Sequence, residues 1–298
     1  MKITILGKGA WGKALGEILQ GRGHAITWLE KGTSQIPTET EMLWIALPTQ
    51  SIRDCMKALQ PGLPHVPVVS LSKGIEIGTG LRVSEIVAGF LPQTPFAAVS
   101  GPSLAAEVRK KIPTALVAAS KNGELVAMVQ EILHGSHMRV YRSADLVGVE
   151  WGGALKNVYA LAAGMCAGLG LGENSLAGLT TRSLREMTRV AVHFGAQTET
   201  LQGLSGIGDL ILTSYSRLSR NRRVGERIGL GDSVAQALAS VEGVCEGVPT
   251  TQALHEILAS RKVEAPIAHE LHQVLVNGRS PKDSLTALLD RDSKTETE

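Results

Sequence analysis

Residues 2–12 read Lys-Ile-Thr-Ile-Leu-Gly-Lys-Gly-Ala-Trp-Gly, and this stretch decides the fold of the first half of the chain. Its first five residues form an apolar run of strand type, and helical spacing begins at Ala10. Gly7, Gly9 and Gly12 occupy the turn in a GxGxxG pattern. A strand that turns through such glycines into a helix is typical of a sheet that binds a dinucleotide.

Each glycine of this turn has a separate role in such a site. Gly7 permits the tight turn, Gly9 lets the backbone approach a pyrophosphate, and Gly12 allows helix and strand to pack closely. The helix that starts at Ala10 and Trp11 presents free N–H groups to the anion. The alternative is a purely structural turn, but strand, glycines and helix agree in position. The sequence therefore predicts an NAD(P)-binding site.

An acidic residue follows the second predicted strand. Glu30 lies 18 residues beyond Gly12, near the offset of roughly 20 at which a carboxylate binds the adenosine ribose. A carboxylate accepts hydrogen bonds from two ribose hydroxyls but repels a 2′-phosphate, which predicts that NADH is used at least as well as NADPH. Lys31 could offset that repulsion, and the alternative for Glu30 is a solvated loop glutamate.

The first half of the chain alternates between short apolar runs and helical stretches. Strands are predicted at residues 2–6, 25–30, 42–47, 66–71, 96–100, 114–119 and 138–141. Helices are predicted at residues 10–21, 51–59, 81–90, 103–110 and 123–133. This alternation predicts an α/β fold with a Rossmann-like, doubly wound and mostly parallel sheet over residues 1–143. Residues 31–41 are about the minimum for a crossover with a helix, so we expect no regular helix there.

After residue 144 the strand runs stop and helical spacing takes over. Helices are predicted at residues 183–194, 209–214, 221–228, 233–238, 250–259, 266–276 and 281–289. The interpretation is an all-helical substrate and catalytic domain over residues 144–289. Residues 290–298 are charged, contain no apolar residue and are predicted to be a disordered tail.

Composition excludes several classes of protein. The chain has 298 residues, 43% of them apolar and 19% charged, which is typical of a globular protein of about two domains. Its net charge of +2 argues against a nucleic-acid partner. Three dispersed cysteines and the absence of a signal-peptide pattern predict a cytoplasmic protein. The uncharged run at residues 158–172 is too short and glycine-rich for a membrane span.

One lysine stands in an otherwise apolar helical stretch. Lys156 follows Gly152-Gly153-Ala154-Leu155 and precedes Asn157, in a region of Gly, Ala, Leu, Val and Met. A buried ammonium loses hydration and its pKa falls, which would make Lys156 a candidate acid or base. The alternative is a lysine whose stem covers apolar surface while its ammonium reaches water.

Three further segments carry the residue types of a phosphate-binding site. Ser72-Lys73-Gly74 puts a cation after a strand, at the sheet edge where ligands bind. Ser100-Gly101-Pro102-Ser103 joins a strand to a helix whose N-terminus can hold an anion. Ser219-Arg220-Asn221-Arg222-Arg223 supplies a guanidinium and an amide suited to a phosphate. Taken singly, the cations could be surface charges and Ser103 a helix N-cap.

Taken together, these motifs resemble the NAD(P)-dependent glycerol-3-phosphate dehydrogenases of bacterial type. The resemblance is carried by residues 152–158, by Gly206-Ile207-Gly208-Asp209-Leu210 and by residues 219–223, in this order behind the GxGxxG turn. It covers nearly the whole chain. It implies reversible hydride transfer between NAD(P)H and dihydroxyacetone phosphate, forming sn-glycerol 3-phosphate for glycerolipid and phospholipid synthesis, without a metal.

The resemblance also implies a role for individual residues. Lys156 corresponds to the proton acceptor, with Lys73 and Asp209 as its catalytic partners. Substrate contacts are implied for Lys73, Gly101, Ser103, Lys156, Asn157, Asp209, Ser219, Arg220 and Asn221. Coenzyme contacts are implied for Gly7, Gly9, Ala10, Trp11, Gly12, Glu30, Lys73, Ala105, Arg220, Val244 and Glu246.

The chain departs from this family at two places. Family members often carry Arg or His where this chain has Glu30, which puts a preference for NADP in doubt. They also usually have a longer segment where this chain has residues 31–41, so coenzyme affinity could depend more on the pyrophosphate. The catalytic motifs are unaffected.

Other readings of the sequence stay open at this point. A β-hydroxyacid dehydrogenase has the same two-domain plan and a helix-borne lysine, but would bind a carboxylate instead of a phosphate. A regulatory NAD(P)-binding protein would need no lysine opposite the nicotinamide. The pairs His134/His137 and His269/His272 have no third ligand in a recognisable pattern, so we interpret them as surface or structural residues. Close packing of a Gly/Ala-rich helical domain makes us expect a homodimer.

Overall fold

A seven-stranded sheet forms the first half of the protein in a computed structural model that describes residues 1–30, 32–33, 35–135, 137–293 and 295–296. The strands are β1 Lys2–Leu6, β2 Ala25–Leu29, β3 Met42–Ile45, β4 Val68–Ser70, β5 Phe96–Ser100, β6 Thr114–Ala119 and β7 Met138–Ser143. Their order is β2-β1-β3-β4-β5-β6-β7, and every neighbouring pair is parallel except β5 and β6. The predicted fold class is confirmed.

Five α-helices connect these strands and cover the sheet. They are α1 Ala10–Gly21, α2 Ile52–Leu59, α3 Val83–Ala88, α4 Ala105–Arg109 and α5 Gly123–Leu133. The described part of the short connection, residues 32–33 and 35–41, contains no helix, as its length predicted. Lys31 lies outside the described residues, so the hypothesis that it offsets Glu30 stays a prediction.

Nine α-helices make up the second half, where the described residues contain no strand. They are α6 Leu146–Gly168, α7 Gly172–His193, α8 Thr198–Leu201, α9 Asp209–Tyr215, α10 Arg220–Gly229, α11 Val234–Ala239, α12 Gly247–Ala259, α13 Pro266–Asn277 and α14 Pro281–Leu289. A π-helical turn, Leu204–Gly208, precedes α9. In the described part of the chain, no helix is long and apolar enough to cross a membrane.

The prediction that α7 begins at Ser183 was wrong by eleven residues. The helix begins at Gly172, but of its first eight residues only Leu176 is buried. A helical turn with one buried side chain has no apolar stripe, so its periodicity cannot be seen in the sequence. The domain limits at residues 143 and 289 and the disordered tail stay predictions, although Arg182 donates a hydrogen bond to the backbone oxygen of Glu296.

Helix α6 is the centre of the helical half and is buried almost throughout. Its partner α10 packs at backbone distance: a Cβ added to Gly225 would overlap the backbone oxygen of Leu161, and one added to Gly164 would overlap that of Arg222. The chain has few aromatic residues, and Trp151 of α6 stacks on Phe194 with ring centroids 4.4 Å apart. The glycines therefore hold α6 in place by allowing close backbone contact with α10, in a chain that has few large aromatic side chains to pack.

We expect Gly225→Ala to lower the free energy of unfolding by about 2–3 kcal/mol, because the new methyl forces α6 and α10 apart. The matched control is Gly178→Ala on α7, where an added Cβ meets no atom within 4 Å. That variant should gain about 0.5–1 kcal/mol, because alanine loses less backbone entropy in a helix. Chemical denaturation of both variants tests this, and equal effects would contradict the close packing.

Carboxylates hold α6 against the sheet half. Asp145 caps α6 by accepting from Gly148 N at 2.8 Å, and its second oxygen accepts from Gln197 N at 2.9 Å. Glu150, one turn further on, accepts hydrogen bonds from the backbone N and the hydroxyl of Ser84 in α3 and forms an ion pair with Arg82. The contacts of Glu150 with Ser84 and Arg82 fix the rotation of α6 against the sheet half, and therefore the position of Lys156.

Candidate active site

The candidate site lies at the edge of the sheet where β4 and β5 end. Lys73 follows β4, and Gly101 follows β5 with a positive φ of 122°. The ammonium of Lys73 donates to the backbone oxygen of Gly101 at 3.1 Å, and the hydroxyl of Ser103 donates to the same oxygen at 3.0 Å. Helix α4 begins only at Ala105 and takes Leu104 as its N-cap, so Ser103 is not a helix cap.

Lys156 reaches this edge from α6 and is not a surface lysine. Only 8% of the residue is exposed. Its Nζ lies 3.1 Å from Oδ1 of Asp209 and donates to the hydroxyl of Thr213 at 3.0 Å. The other carboxylate oxygen of Asp209 accepts from Lys73 at 2.6 Å. One buried carboxylate therefore lies between two ammonium groups, and the predicted trio comes together.

Burial is the main cause of the altered proton affinity of Lys156. Loss of hydration lowers its pKa to about 8; the charges of Lys73 and Arg220 act in the same direction, and Asp209 opposes them. Burial disfavours the ionised form of Asp209, but the two lysines outweigh it and hold the pKa of that carboxyl below its ordinary value. At neutral pH the site holds an ammonium that can lose its proton within the physiological range.

The backbone around Asp209 explains how the carboxylate reaches Lys156. A Cβ added to Gly206 would overlap the backbone of Leu201, so the π-helical turn needs glycine there to pack. This turn leads directly into α9, of which Asp209 is the first residue. Thr213 follows one turn later on the same face and donates to Oδ1 of Asp209 at 3.2 Å. Thr213 was not among the predicted site residues, although its i+4 spacing from Asp209 indicates the same face of a helix.

Asn157 and Asn221 bind each other and hold four segments together. The side-chain nitrogen of Asn157 donates to the backbone oxygen of Lys73 at 3.1 Å, and its oxygen accepts from Asn221 at 2.8 Å. The side-chain oxygen of Asn221 then accepts from Gly247 N at 2.9 Å. This amide chain joins the sheet edge, α6, α10 and α12. Both residues lie at the site, but their side-chain atoms form hydrogen bonds that hold the surrounding segments in position.

The residues predicted to bind a phosphate, Ser219 and Arg220, lie at the start of α10. Ser219 is buried and its hydroxyl caps this helix by accepting from Arg222 N at 3.2 Å. Arg220, the first residue of the helix, is exposed, and its Nη1 lies 2.6 Å from the Cβ position that a side chain at Gly243 would occupy. A glycine at 243 thus leaves room for the guanidinium. Its charge reaches Lys156 and lowers the pKa of the lysine.

The first turn has the shape that a pyrophosphate needs. Gly7 has a positive φ of 100°, and a Cβ on Gly12 would overlap the backbone oxygen of Gly7. A Cβ on Gly9 would meet no atom within 4 Å, so its backbone is open to a ligand. Helix α1 begins at Ala10, and Trp11 is partly buried against the sheet core. The glycine roles predicted for Gly7 and Gly12 agree with this packing.

A glutamate from the helical half faces the coenzyme edge of the sheet. Glu246 accepts from Thr49 N at 3.1 Å through Oε1, while its Oε2 and the hydroxyl of Thr49 are buried, and the described residues offer neither a hydrogen bond. Burial raises the pKa of Glu246 to about 7. Neighbouring Val244 is exposed, and its predicted contact with the coenzyme stays a prediction. Unpartnered buried polar atoms beside an open glycine turn fit a nucleotide ligand.

Histidines do not form a metal site in the described part of the chain, where no group of three potential ligands is placed to hold a metal ion. The structure does add a third imidazole to the pair His269/His272, because His255 stacks on His272 with ring centroids 3.6 Å apart. Burial and the neighbouring imidazoles lower the pKa of His272. Stacking of this kind suits the structural role predicted for these residues.

Comparison with known proteins gives a consistent family. Residues 31–126 match the family model described as NAD-dependent glycerol-3-phosphate dehydrogenase N-terminus, and residues 145–286 match the corresponding C-terminus model. Glycerol-3-phosphate dehydrogenase [NAD(P)+] of Synechococcus sp. is 41% identical over 300 residues, covering 99% of this chain and 95% of the relative. Its counterpart in Geobacter sp. is 39% identical over 330 residues, covering 99% and 98%.

Solved structures agree with these sequence matches. The glycerol-3-phosphate dehydrogenase of Coxiella burnetii superposes with a TM-score of 0.91 at 33% identity, covering 97% of this chain and 99% of that one. D-mandelate dehydrogenase superposes with a TM-score of 0.62 at 14% identity, covering 96% of this chain and 100% of that one, and shares the fold alone.

Proposed function

The chain belongs to the NAD-dependent glycerol-3-phosphate dehydrogenase family, and from this membership we infer that it reduces dihydroxyacetone phosphate reversibly to sn-glycerol 3-phosphate with NAD(P)H. The observation that carries the inference is the Lys156–Asp209–Lys73 cluster at the carboxyl edge of the sheet. A regulatory NAD(P)-binding protein would have no use for a buried lysine with a pKa of about 8 there.

Lys156 supplies the acid–base chemistry in this proposal. Its ammonium polarises the ketone oxygen and donates a proton to it during reduction, and the neutral amine takes that proton back during oxidation. Asp209 and Thr213 hold the amine in place from one side, which leaves a donor direction for the substrate. The NAD(P) coenzyme, when bound, supplies or accepts the hydride.

The remaining residues of the proposed cradle orient the substrate. Arg220, exposed at the start of α10, binds the phosphate bidentately and anchors the substrate by its non-reacting end. Lys73 adds a second positive charge, with Gly101 and Ser103 beside it. Gly7, Gly9 and Gly12 fit the coenzyme pyrophosphate, and Glu246 with Val244 closes the site from the helical half.

The two directions of the reaction should depend on pH in opposite ways. Reduction requires the protonated Lys156, so kcat/KM for dihydroxyacetone phosphate is expected to fall as pH rises through about 8. Oxidation requires the neutral amine, so kcat/KM for sn-glycerol 3-phosphate is expected to rise through the same pH. Initial rates above pH 7 test this, since the substrate phosphate is already dianionic there. Because reduction consumes one proton, the two directions must differ in pH dependence whichever group carries that proton, so the pH of the break is the diagnostic quantity. A break far from pH 8 in both directions would exclude Lys156 as the acid and base.

The substrate assignment can be tested with the purified protein, both reduced coenzymes and a panel of carbonyl compounds. We expect oxidation of NADH or NADPH with dihydroxyacetone phosphate and much weaker activity with glyceraldehyde 3-phosphate and short keto acids. Activity confined to a keto acid would favour the β-hydroxyacid dehydrogenase alternative, which recognises a carboxylate. Coenzyme binding without turnover of any substrate would favour a regulator.

The proposal also covers the location of the protein, its metabolic role and its oligomeric state. We propose that the protein acts in the cytoplasm, supplies sn-glycerol 3-phosphate for phospholipid synthesis and forms a homodimer. The interface would cover apolar side chains that are exposed in the helical half, such as Leu230, Val276 and Leu289. Light scattering coupled to size-exclusion chromatography tests the dimer, and a mass near 31.5 kDa would reject it.

A further inference from the structure

Lys8 and Glu30 form an ion pair between the first turn and the end of β2, where the sequence predicts the adenosine end of the coenzyme site. Lys8 lies between Gly7 and Gly9, and its Nζ donates to Oε1 of Glu30 at 3.0 Å. Both side chains are solvent-accessible, with 44% and 65% exposed. Gly7 N donates to the backbone oxygen of Leu29, which fixes the distance between the turn and the end of β2.

Fold stability does not explain this pair. Exposed ion pairs contribute little to stability because water and salt screen them and two flexible side chains must be ordered. The pair does lie where the sequence predicts recognition of the adenosine ribose, and the hydrogen bond from Lys8 lowers the pKa of Glu30. The carboxylate is therefore ionised near neutral pH and would repel a 2′-phosphate if no cation stood beside it.

We propose that Lys8 is a coenzyme-specificity residue that binds the 2′-phosphate of NADPH, so that one pocket with Glu30 accepts both coenzymes. This proposal rests on the proposed NAD(P) dependence of the enzyme. With NADH, Glu30 accepts from the ribose hydroxyls and Lys8 stays on Oε1. With NADPH, the ammonium of Lys8 leaves the carboxylate of Glu30 and binds the oxygens of the 2′-phosphate, which form stronger charge-assisted hydrogen bonds.

The surroundings leave room for this exchange. Gly9 and Gly32 border the pair, and a Cβ added to either glycine meets no atom within 4 Å. The described residues between β2 and β3 form no helix that would cover the adenosine side. Lys8 has a flexible four-carbon stem, so a movement of its own side chain suffices to bring the ammonium from Glu30 to a phosphate on the same ribose.

Binding constants of NADH and NADPH for four proteins test the proposal: wild type, Lys8→Met, Glu30→Gln and Lys13→Met. Isothermal titration calorimetry without any triose phosphate gives each Kd independently of turnover. Lys13 is the matched control, because it is an exposed lysine near the start of α1 that acts on Glu30 by charge alone and forms no described hydrogen bond to it. Unchanged thermal unfolding of each variant shows that the fold is intact.

We expect Lys8→Met to weaken NADPH binding about tenfold or more and NADH binding less than threefold. Glu30→Gln should strengthen NADPH and weaken NADH severalfold, and Lys13→Met should change both by less than threefold. Raising the salt concentration should weaken NADPH binding more in the wild type than in Lys8→Met, because the lost contact is ionic.

Two results would overturn the proposal. An equal loss for NADH and NADPH in Lys8→Met would place the ammonium on the pyrophosphate that both coenzymes share. If Lys8→Met and Lys13→Met weakened NADPH binding equally, the effect would come from the general positive charge of the surface and not from a contact of Lys8. Failure of the proposed function would look different, because inactivity towards dihydroxyacetone phosphate leaves these binding constants measurable.

Discussion

Replacing Lys156 with methionine is expected to lower kcat/KM for dihydroxyacetone phosphate about 10⁴-fold while the Kd for coenzyme changes less than threefold. Methionine retains an apolar stem of similar length in this buried position but neither polarises the ketone oxygen nor gives it a proton. General acid catalysis contributes about 10²–10⁴-fold and a charged donor at the developing oxyanion about 10²–10³-fold, and the two overlap in one group. Stopped-flow single turnovers with saturating coenzyme measure the chemical step directly.

Lys73→Met is the informative comparison for this variant. Lys73 contacts Asp209 and the backbone oxygen of Gly101, both of which belong to the proposed substrate cradle. We expect its loss to raise KM more than it lowers kcat, whereas Lys156→Met should lower kcat chiefly. Residual reduction by Lys156→Met within tenfold of the wild type would assign the proton transfer to another group or to water.

The sequence was sufficient to predict the sheet, the first turn and the position of an unusual lysine, Lys156, in an apolar helix. Strand β1, helix α1 and helix α5 begin and end at the predicted residues, because their apolar spacing is bounded by glycine or a capping residue. Strand β4 was predicted too long, at residues 66–71 instead of Val68–Ser70. Pro67 has no N–H to give to a ladder, so the strand begins after it.

Relations between distant residues could not be predicted in the same way. Asn157 and Asn221 are 64 residues apart, and only the tertiary structure shows that their amides bind each other. The fold also brings Lys8 to Glu30 from the other end of the βα turn, a contact that the sequence did not indicate. Adjacency in sequence is a poor guide here, because a parallel sheet places successive strand ends side by side.

The sequence also could not show which cause dominates the pKa of Lys156. Burial, Lys73 and Asp209 were all candidates, and their relative weights depend on distances that only the fold fixes. The structure ranks burial first, with Asp209 as the opposing charge. This order makes the role of Asp209 measurable, since its charge can be removed without changing the burial of the lysine.

Asp209→Asn is expected to lower kcat/KM for reduction about 10²–10³-fold at pH 8 and to move its alkaline limb from about 8 to a lower pH. Asparagine keeps the size of the side chain but removes the charge that favours the ammonium form of Lys156, so a smaller fraction of the enzyme can donate a proton. Lowering the assay pH should restore part of the lost activity, which a misfolded site would not allow.

The control for this variant is Asp145→Asn, which alters another buried carboxylate at the start of α6 that contacts none of Lys73, Lys156 and Asp209. It should lower the free energy of unfolding by about 1–3 kcal/mol, because an amide oxygen can accept from only one of the two N–H groups that the carboxylate binds. It should leave the pH limb at about 8. If Asp209→Asn lost activity with its limb unmoved, Asp209 would act by orienting the amine alone. Asp209 contacts both Lys156 and Lys73. A shift of the alkaline limb to lower pH therefore shows that the carboxylate raises the pKa of Lys156, whereas an unmoved limb shows that it only orients the amine.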